Sequence, residues 1–201
     1  MLVTDIVKLD KKKSKIIFCD GSIIALYSSE IRKFDISVDS ELDDDVLALI
    51  KKDILFKRGK ERALYILKSS SKTKHQIISK LKDGYYPEDV IERIVAFLNE
   101  YSFIDDYEYA TRYYNTYSGS KSIRAISMDL VKKGVDKSII SEIVDSVDVD
   151  RETEQIMKLL EKKHYTEHID DYKEKNRIIS YLLRRGYEYD KISSCLNYFK
   201  S

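Results

Sequence analysis

Asp105 and Asp106 are adjacent carboxylates, an arrangement that general acid–base or metal chemistry could use. Neighbouring residues on a helix point in different directions, so this pair would need a partner acid or base from elsewhere. Asp105 followed by Glu108 also fits a helix start, with Asp105 as N-cap, Glu108 closing a capping box and Asp106 at the positive end of the dipole. The cap is the better reading. His164 and His168 have the spacing of two ligands on one helical face, but Tyr165-Thr166-Glu167 does not complete H-E-x-x-H. His75 is the one other histidine, no third ligand is identifiable, and no metal site is expected. Neither Cys19 nor Cys195 has a histidine near it in sequence, and Cys195 takes an apolar helix position suited to packing. The sequence holds no G-x-G-x-x-G, no G-x-x-x-x-G-K-[ST] and no G-x-S-x-G. Neither a catalytic residue nor a cofactor is expected.

Binding chemistry is better represented. Lys82, Lys132 and Arg184 each stand two residues before a glycine, joined by Lys133 and Arg185. Lys74, Arg124 and Arg177 lie further back in the same segments. Stacked in similar orientation, these residues would form a ridge of positive charge suited to an acidic groove or a phosphate backbone. Cations in a helix's last turn also stabilise its negative end, by ~0.3–1 kcal/mol each, which explains the last-turn members equally well. It does not explain Arg124 and Arg177, which sit early in their helices where the dipole opposes them. Tyrosines are numerous, among them Tyr85, Tyr86, Tyr101, Tyr107, Tyr109, Tyr113, Tyr114, Tyr117, Tyr181, Tyr187, Tyr189 and Tyr198. Base stacking is one use for them. Packing at helix contacts, with the hydroxyl at the rim, is the expected one.

The elements that must position these residues follow from periodicity. Thr4–Leu9, Lys15–Cys19 and Ser22–Tyr27 are β-rich runs, and Asp20-Gly21 between the last two predicts a hairpin with a type I′ turn. From Ser40 the texture turns helical, with Val46, Leu47, Ile50, Ile54 and Leu55 at three- and four-residue steps and no Gly or Pro before Gly59. Beyond residue 60 the chain repeats weakly. Gly84, Gly134 and Gly186 each end a Lys/Arg-rich helical pattern, as a left-handed residue after a helix would. Ile126 and Leu130 lie eight and four residues before Gly134, as Ile178 and Leu182 do before Gly186, whereas Ile77 and Leu81 are one residue closer to Gly84. Thr73-x-x-Gln76 and Asp171-x-x-Glu174 read as capping boxes, and Pro87-Glu88-Asp89 as a helix first turn.

Each unit reads as three helices: about 59–69, 74–83 and 87–99; 105–117, 121–133 and 137–146; 150–163, 171–185 and 190–199. The expected fold is mainly α, three tandem three-helix, helix-turn-helix-like repeats in an elongated curved body behind a small N-terminal β-hairpin. The segments are 1–45 (β extension and linker), 46–100 (connecting helix and first repeat), 101–149 (second repeat) and 150–201 (third repeat).

Composition narrows the class. The 201 residues carry 36 Lys+Arg against 35 Asp+Glu, a net charge of +1, with 43% hydrophobic residues. That balance excludes low-complexity disorder. Residues 1–59 hold 11 basic and 11 acidic residues, leaving 25 and 24 for the remainder, so any nucleic-acid role depends on a local patch. Two distant cysteines do not suggest a staple, and no apolar run approaches the ~20 residues a membrane span needs. Met1-Leu2-Val3-Thr4-Asp5 does not start a signal peptide, and a cytoplasmic location is expected.

The residues also carry a resemblance. Glu61-Arg62-Ala63-Leu64-Tyr65-Ile66-Leu67 leads to Lys74–Tyr85, followed by Phe103-Ile104-Asp105-Asp106-Tyr107-Glu108-Tyr109-Ala110 and Ile123–Val135. Over nearly the whole chain this resembles the RecX family of RecA-regulating proteins. Its most specific part is Ile104–Ala110 with Lys133-Gly134-Val135, and the third unit matches most loosely. The resemblance implies a non-enzymatic, monomeric modulator that lies in the groove of the RecA–single-stranded DNA filament. Such a protein restrains ATP hydrolysis, strand exchange and filament growth in DNA repair, recombination and the SOS response. Some members also bind DNA, and direct DNA binding through stacked helix-turn-helix-like repeats is the alternative.

Overall fold

The computed structural model describes residues 1–146, 150–168 and 171–199. Strands β1 (Val3–Lys8), β2 (Lys13–Phe18) and β3 (Ile23–Tyr27) form an antiparallel meander in that order. Ile16 on β2 sits opposite Ile6 and Ile24, and alternation turns Ser14, Ile16 and Phe18 to the buried face. The β2–β3 turn differs from the expected type I′. Gly21 alone has positive φ (79°), and its N–H donates to Phe18 O at 2.9 Å, while Phe18 N–H donates to Ser22 O. This is a three-residue loop ending in a left-handed glycine. Asp20 favours it by accepting from both the N–H and the hydroxyl of Ser22.

After α1 (Ser28–Lys33), a continuous helical run joins α2 (Asp44–Leu49) through a π-helical stretch, Ile50–Leu55, to α3 (Phe56–Ser69). Gly59 is therefore inside a helix, not at a boundary. A Cβ there would run into Ile94 Cδ1, so the glycine permits a close helix crossing. α4 (Lys74–Lys82) and α5 (Glu88–Glu100) complete the first three-helix unit. Thr73 and Gln76 form the expected reciprocal capping box. Pro87 is the N-cap with extended ψ (153°), one position before the expected first turn, and Glu88 and Asp89 fill that turn. The inner face of the sheet and this first unit share one apolar core, including Ile16, Phe18, Leu26, Ile50, Leu55, Ile77, Leu81 and Ile94.

The second unit comprises α6 (Asp106–Tyr117), α7 (Ile123–Lys132) and α8 (Lys137–Asp145). The third comprises α9 (Asp150–Lys162), a 3-10 turn at Tyr165–His168, α10 (Tyr172–Arg184) and α11 (Tyr189–Tyr198). Their cores centre on Ile126, Leu130 and Ile140, and on Ile156, Leu160, Ile178 and Leu182. By internal contacts the chain divides into two compact halves, Met1–Asp105 and Asp106–Ser201.

The middle helices α4, α7 and α10 end alike. Tyr86 N–H donates to Leu81 O (3.3 Å), Val135 N–H to Leu130 O (3.1 Å) and Tyr187 N–H to Leu182 O (3.3 Å). A second bond of the same Schellman motif runs from Tyr85, Gly134 and Gly186 to Lys82, Val131 and Leu183 respectively. The left-handed residues are Tyr85 (φ 60°), Gly134 (φ 76°) and Gly186 (φ 88°). Gly84 is thus not the equivalent of Gly134 and Gly186. Tyr85 is, and with it Ile77 and Leu81 fall eight and four residues back, as in the other units. The register discrepancy in the first unit disappears.

Candidate functional site

The same correction redistributes the cations. Relative to the left-handed residue, Lys132 and Arg184 align with Asp83, while Lys82 aligns with Val131 and Leu183. Lys82 is bound to Glu88 at 2.9 Å, across the α4–α5 turn. Lys74 is exposed at the start of α4. The half Met1–Asp105 therefore carries no counterpart of the Lys132 position.

In the half Asp106–Ser201 the positions hold. α7 opens where the Ser122 hydroxyl accepts from Ala125 N–H at 3.1 Å, and its buried face carries Ile126 and Leu130. Arg124, Met128 and Lys132, four residues apart, occupy the opposite, exposed stripe. Arg124, Lys132 and Arg184 form no ion pair among the described residues, and all three line one cleft between α7 and the α10–α11 corner. α10 opens with Asp171 accepting from Lys173 and Glu174 N–H. The capping box expected there is half formed, because the Glu174 carboxylate turns to Arg177 at 3.1 Å. That pairing also occupies Arg177, which is otherwise exposed.

Arg185 has a different task. Its guanidinium donates to Ser120 O and lies 4.5 Å from the Tyr181 ring, and its own carbonyl accepts from Ser122 N–H at 3.0 Å. The third unit thereby grips the α6–α7 loop of the second. Buried Glu152 on α9 completes the joint. It accepts from Ile123 N–H (3.3 Å), a first-turn donor of α7 with no acceptor within its own helix, and from Lys191 Nζ. Glu152 and Arg185 were not distinguishable from other surface charges by sequence, since their partners are 29 and 65 residues away. Glu152→Ala is expected to destabilise this half by about 1–3 kcal/mol, because the part-buried Ile123 N–H and Lys191 ammonium lose their acceptor. A urea-unfolding midpoint unchanged by the substitution would contradict that assignment.

A second polar face accompanies this joint. Tyr109, Tyr113 and Tyr117 form a ladder along α6, with centroid separations of 6.3 and 4.5 Å. Lys133 Nζ lies 5.2 Å from the Tyr113 ring and Lys121 Nζ 5.0 Å from the Tyr117 ring. Asp129 accepts from Lys121 (2.6 Å) and from the Tyr113 hydroxyl (3.1 Å). The Lys121 hydrogen bond holds the Asp129 carboxyl below its ordinary range, while partial burial and Asp129 raise the Tyr113 phenol. Tyr181 carries Lys163 at 4.7 Å as well as Arg185. The four-residue spacing of the α6 tyrosines was the available signal for this face. Other tyrosines pack: Tyr86, Tyr114, Tyr165 and Tyr187 are buried, and burial pushes the Tyr187 phenol up to about 12.

The remaining candidates are accounted for locally. α6 begins at Asp106, directly after Asp105. His164 is exposed and faces Glu167 at 3.2 Å, and the side chain of His168 lies outside the described residues. Among the described residues no group of three or more His, Cys, Asp or Glu converges as metal ligands, and no helix is long and apolar enough to cross a membrane. Cys195 packs in the third core, where burial raises its thiol, and Cys19 is exposed.

The fold is that of an α-helical repeat protein of three-helix units behind a small sheet, with charged and aromatic side chains on its surface. Residues 150–196 match the third three-helix domain of RecX, and residues 60–98 match the first. The regulatory protein RecX of Clostridium perfringens is 31% identical over 179 residues, covering 88% of this chain and 81% of that one. The regulatory protein RecX of Clostridium tetani is 29% identical over 196 residues, covering 96% and 91%. The crystal structure of RecX from Lactobacillus salivarius superposes with a TM-score of 0.63 at 27% identity, covering 73% of this chain and 97% of that one. A second RecX crystal structure, at 23% identity and TM-score 0.60, covers 96% and 98% and supports the fold. The chain belongs to the RecX family, a family of regulatory proteins.

Proposed function

We propose that this protein binds the filament formed by the RecA recombinase on single-stranded DNA and restrains its ATP hydrolysis and growth. On this reading it acts in the cytoplasm as a monomer in DNA repair and recombination, without catalysing a reaction. Family membership supports the reading. The observation that carries it is the cluster of Arg124, Lys132 and Arg184, exposed along one cleft with no ion pair among the described residues. Cations left without internal partners retain their field for an external acidic surface. Lys74, Lys82, Lys133, Arg177 and Arg185 stay within the broader surface, with Lys82 paired to Glu88, Lys133 over the Tyr113 ring, Arg177 paired to Glu174 and Arg185 bonded to Ser120 O.

The test is ATP hydrolysis by the cognate RecA on single-stranded DNA, with and without this protein. The expected result is a dose-dependent fall in rate. Arg124→Glu/Lys132→Glu/Arg184→Glu should weaken filament binding at least about tenfold, since each reversal replaces an attraction by a repulsion. Its circular-dichroism melt should stay close to that of the unsubstituted protein, because exposed substitutions cost little stability. No effect on hydrolysis at saturating protein would refute the reading.

Direct DNA binding is favoured by one specific observation, the α6 tyrosine ladder flanked by Lys121 and Lys133. Aromatic rings interleaved with cations suit stacked bases and phosphates. A steep dependence of naked-DNA affinity on salt would support that second role, since phosphate contacts release counterions.

A further inference from the structure

Beside the cleft they share with Arg184, Arg124 and Lys132 also line an adjoining hollow that is not a purely ionic surface. It encloses ≈ 700 Å³, and its lining includes Ile123, Met128, Val131 and Val144. Met128 and Val131 expose 54% and 49% of their surface, two large apolar side chains side by side on a helix that otherwise buries its apolar face. Nothing in the second or third core uses them. Of the cations at the rim, Lys191 is occupied by Glu152, whereas Arg124 and Lys132 form no ion pair among the described residues. Glu188 is the other acid of the lining, and it reaches neither of them within ion-pair distance.

We infer that this hollow seats a short amphipathic segment of the protein partner, one that presents carboxylates beside apolar side chains. The inference rests on the proposed function, because it assigns the contact to the recombinase protein of the filament and not to its DNA. Two features exclude the nucleic acid as the better occupant. The apolar floor of Ile123, Met128, Val131 and Val144 has no aromatic ring on which a base could stack, the exposed Tyr189 lying in the neighbouring cleft with Arg184, and a phosphate backbone would leave Met128 and Val131 unmatched. The carboxylates answer Arg124 and Lys132, and the apolar side chains answer the floor between them. Methionine suits such a floor, because its unbranched, polarizable side chain adapts to the shape of what it meets.

The test uses the full chain and three probes: cognate RecA filaments on a single-stranded oligonucleotide, the naked oligonucleotide, and size-exclusion chromatography of the protein alone. Met128→Ser/Val131→Ser should bind filaments about tenfold more weakly, as truncated anchors at the centre of an interface do. Its loss should persist at high salt, whereas the loss in Arg124→Glu should shrink. Affinity for the naked oligonucleotide should be unchanged. Both substituted side chains are exposed, so the melt is expected to hold, and Met128→Gln provides a milder variant if it does not. Filament binding equal to that of the unsubstituted protein would overturn the inference while leaving the proposed function intact. So would an equal loss on naked oligonucleotide, which would make the hollow a nucleic-acid surface. A dimer dissociated by the substitutions would assign the hollow to a second copy and overturn it likewise. If the unsubstituted protein binds no filament, the proposed function and this inference fall together.

Discussion

Gly186→Val is expected to destabilise the half Asp106–Ser201 by about 2–5 kcal/mol, the sum of a left-handed backbone cost of ~1–2 and an overpacking cost of ~1–3 kcal/mol. Both components are visible in the structure. Gly186 has φ 88°, and a Cβ there would lie 2.6 Å from the Ser122 hydroxyl and 2.8 Å from Ala125 Cβ. Neither neighbour can yield cheaply, because Ser122 is the buried N-cap of α7 and Ala125 is in its first turn. The second and third units meet at this glycine. Gly21→Val shares the backbone strain, at φ 79°, with nothing within 4 Å of its Cβ, and serves as the comparison for the steric share. Chemical denaturation of both variants decides it. A Gly186→Val protein no less stable than Gly21→Val would show that the close approach to α7 contributes nothing.

Leu130→Ala and Leu182→Ala are each expected to cost about 2–5 kcal/mol, the range for buried leucines whose cavities cannot collapse. Both side chains are essentially sealed, at 1% and 0% exposure, and both stand at the carbonyl that accepts the outer bond of the Schellman motif. Truncation therefore removes packing at the point where the chain reverses from one helix to the next. Leu81 occupies the equivalent place in the first unit, in a core enlarged by the sheet. Thermal melts that leave all three Leu→Ala variants unchanged would contradict the structural equivalence of the units.

The fold was legible where its causes are local. Apolar residues at three- and four-residue steps placed the middle helices α4, α7 and α10 to within a residue or two. Thr73-x-x-Gln76 announced its capping box because both partners lie within one turn. Where local rules admitted two solutions, the structure chose. The Asp20-Gly21 hairpin took a three-residue loop because the Asp20 carboxylate accepts from Ser22 while Gly21 alone supplies the positive φ. Asp171-x-x-Glu174 closed only one side of its box because Arg177 offered Glu174 a charged partner. At the end of α4, a tyrosine accepted the left-handed position that glycine fills in the other units, with the Lys15 ammonium 5.6 Å from its ring.

By itself the sequence determined the helical period, the repeated helix endings and an inventory of eight cations with binding potential: Lys74, Lys82, Arg124, Lys132, Lys133, Arg177, Arg184 and Arg185. Only the tertiary structure decided how those cations are used. It paired Lys82 with Glu88 and Arg177 with Glu174, turned Arg185 inward to Ser120, and left Arg124, Lys132 and Arg184 along one cleft. The physical reason is one of range. Helix periodicity and capping depend on hydrogen bonds a few residues apart, which a sequence displays directly. Whether a charge is available depends on partners brought within ~4 Å by packing, and those partners can lie dozens of residues away.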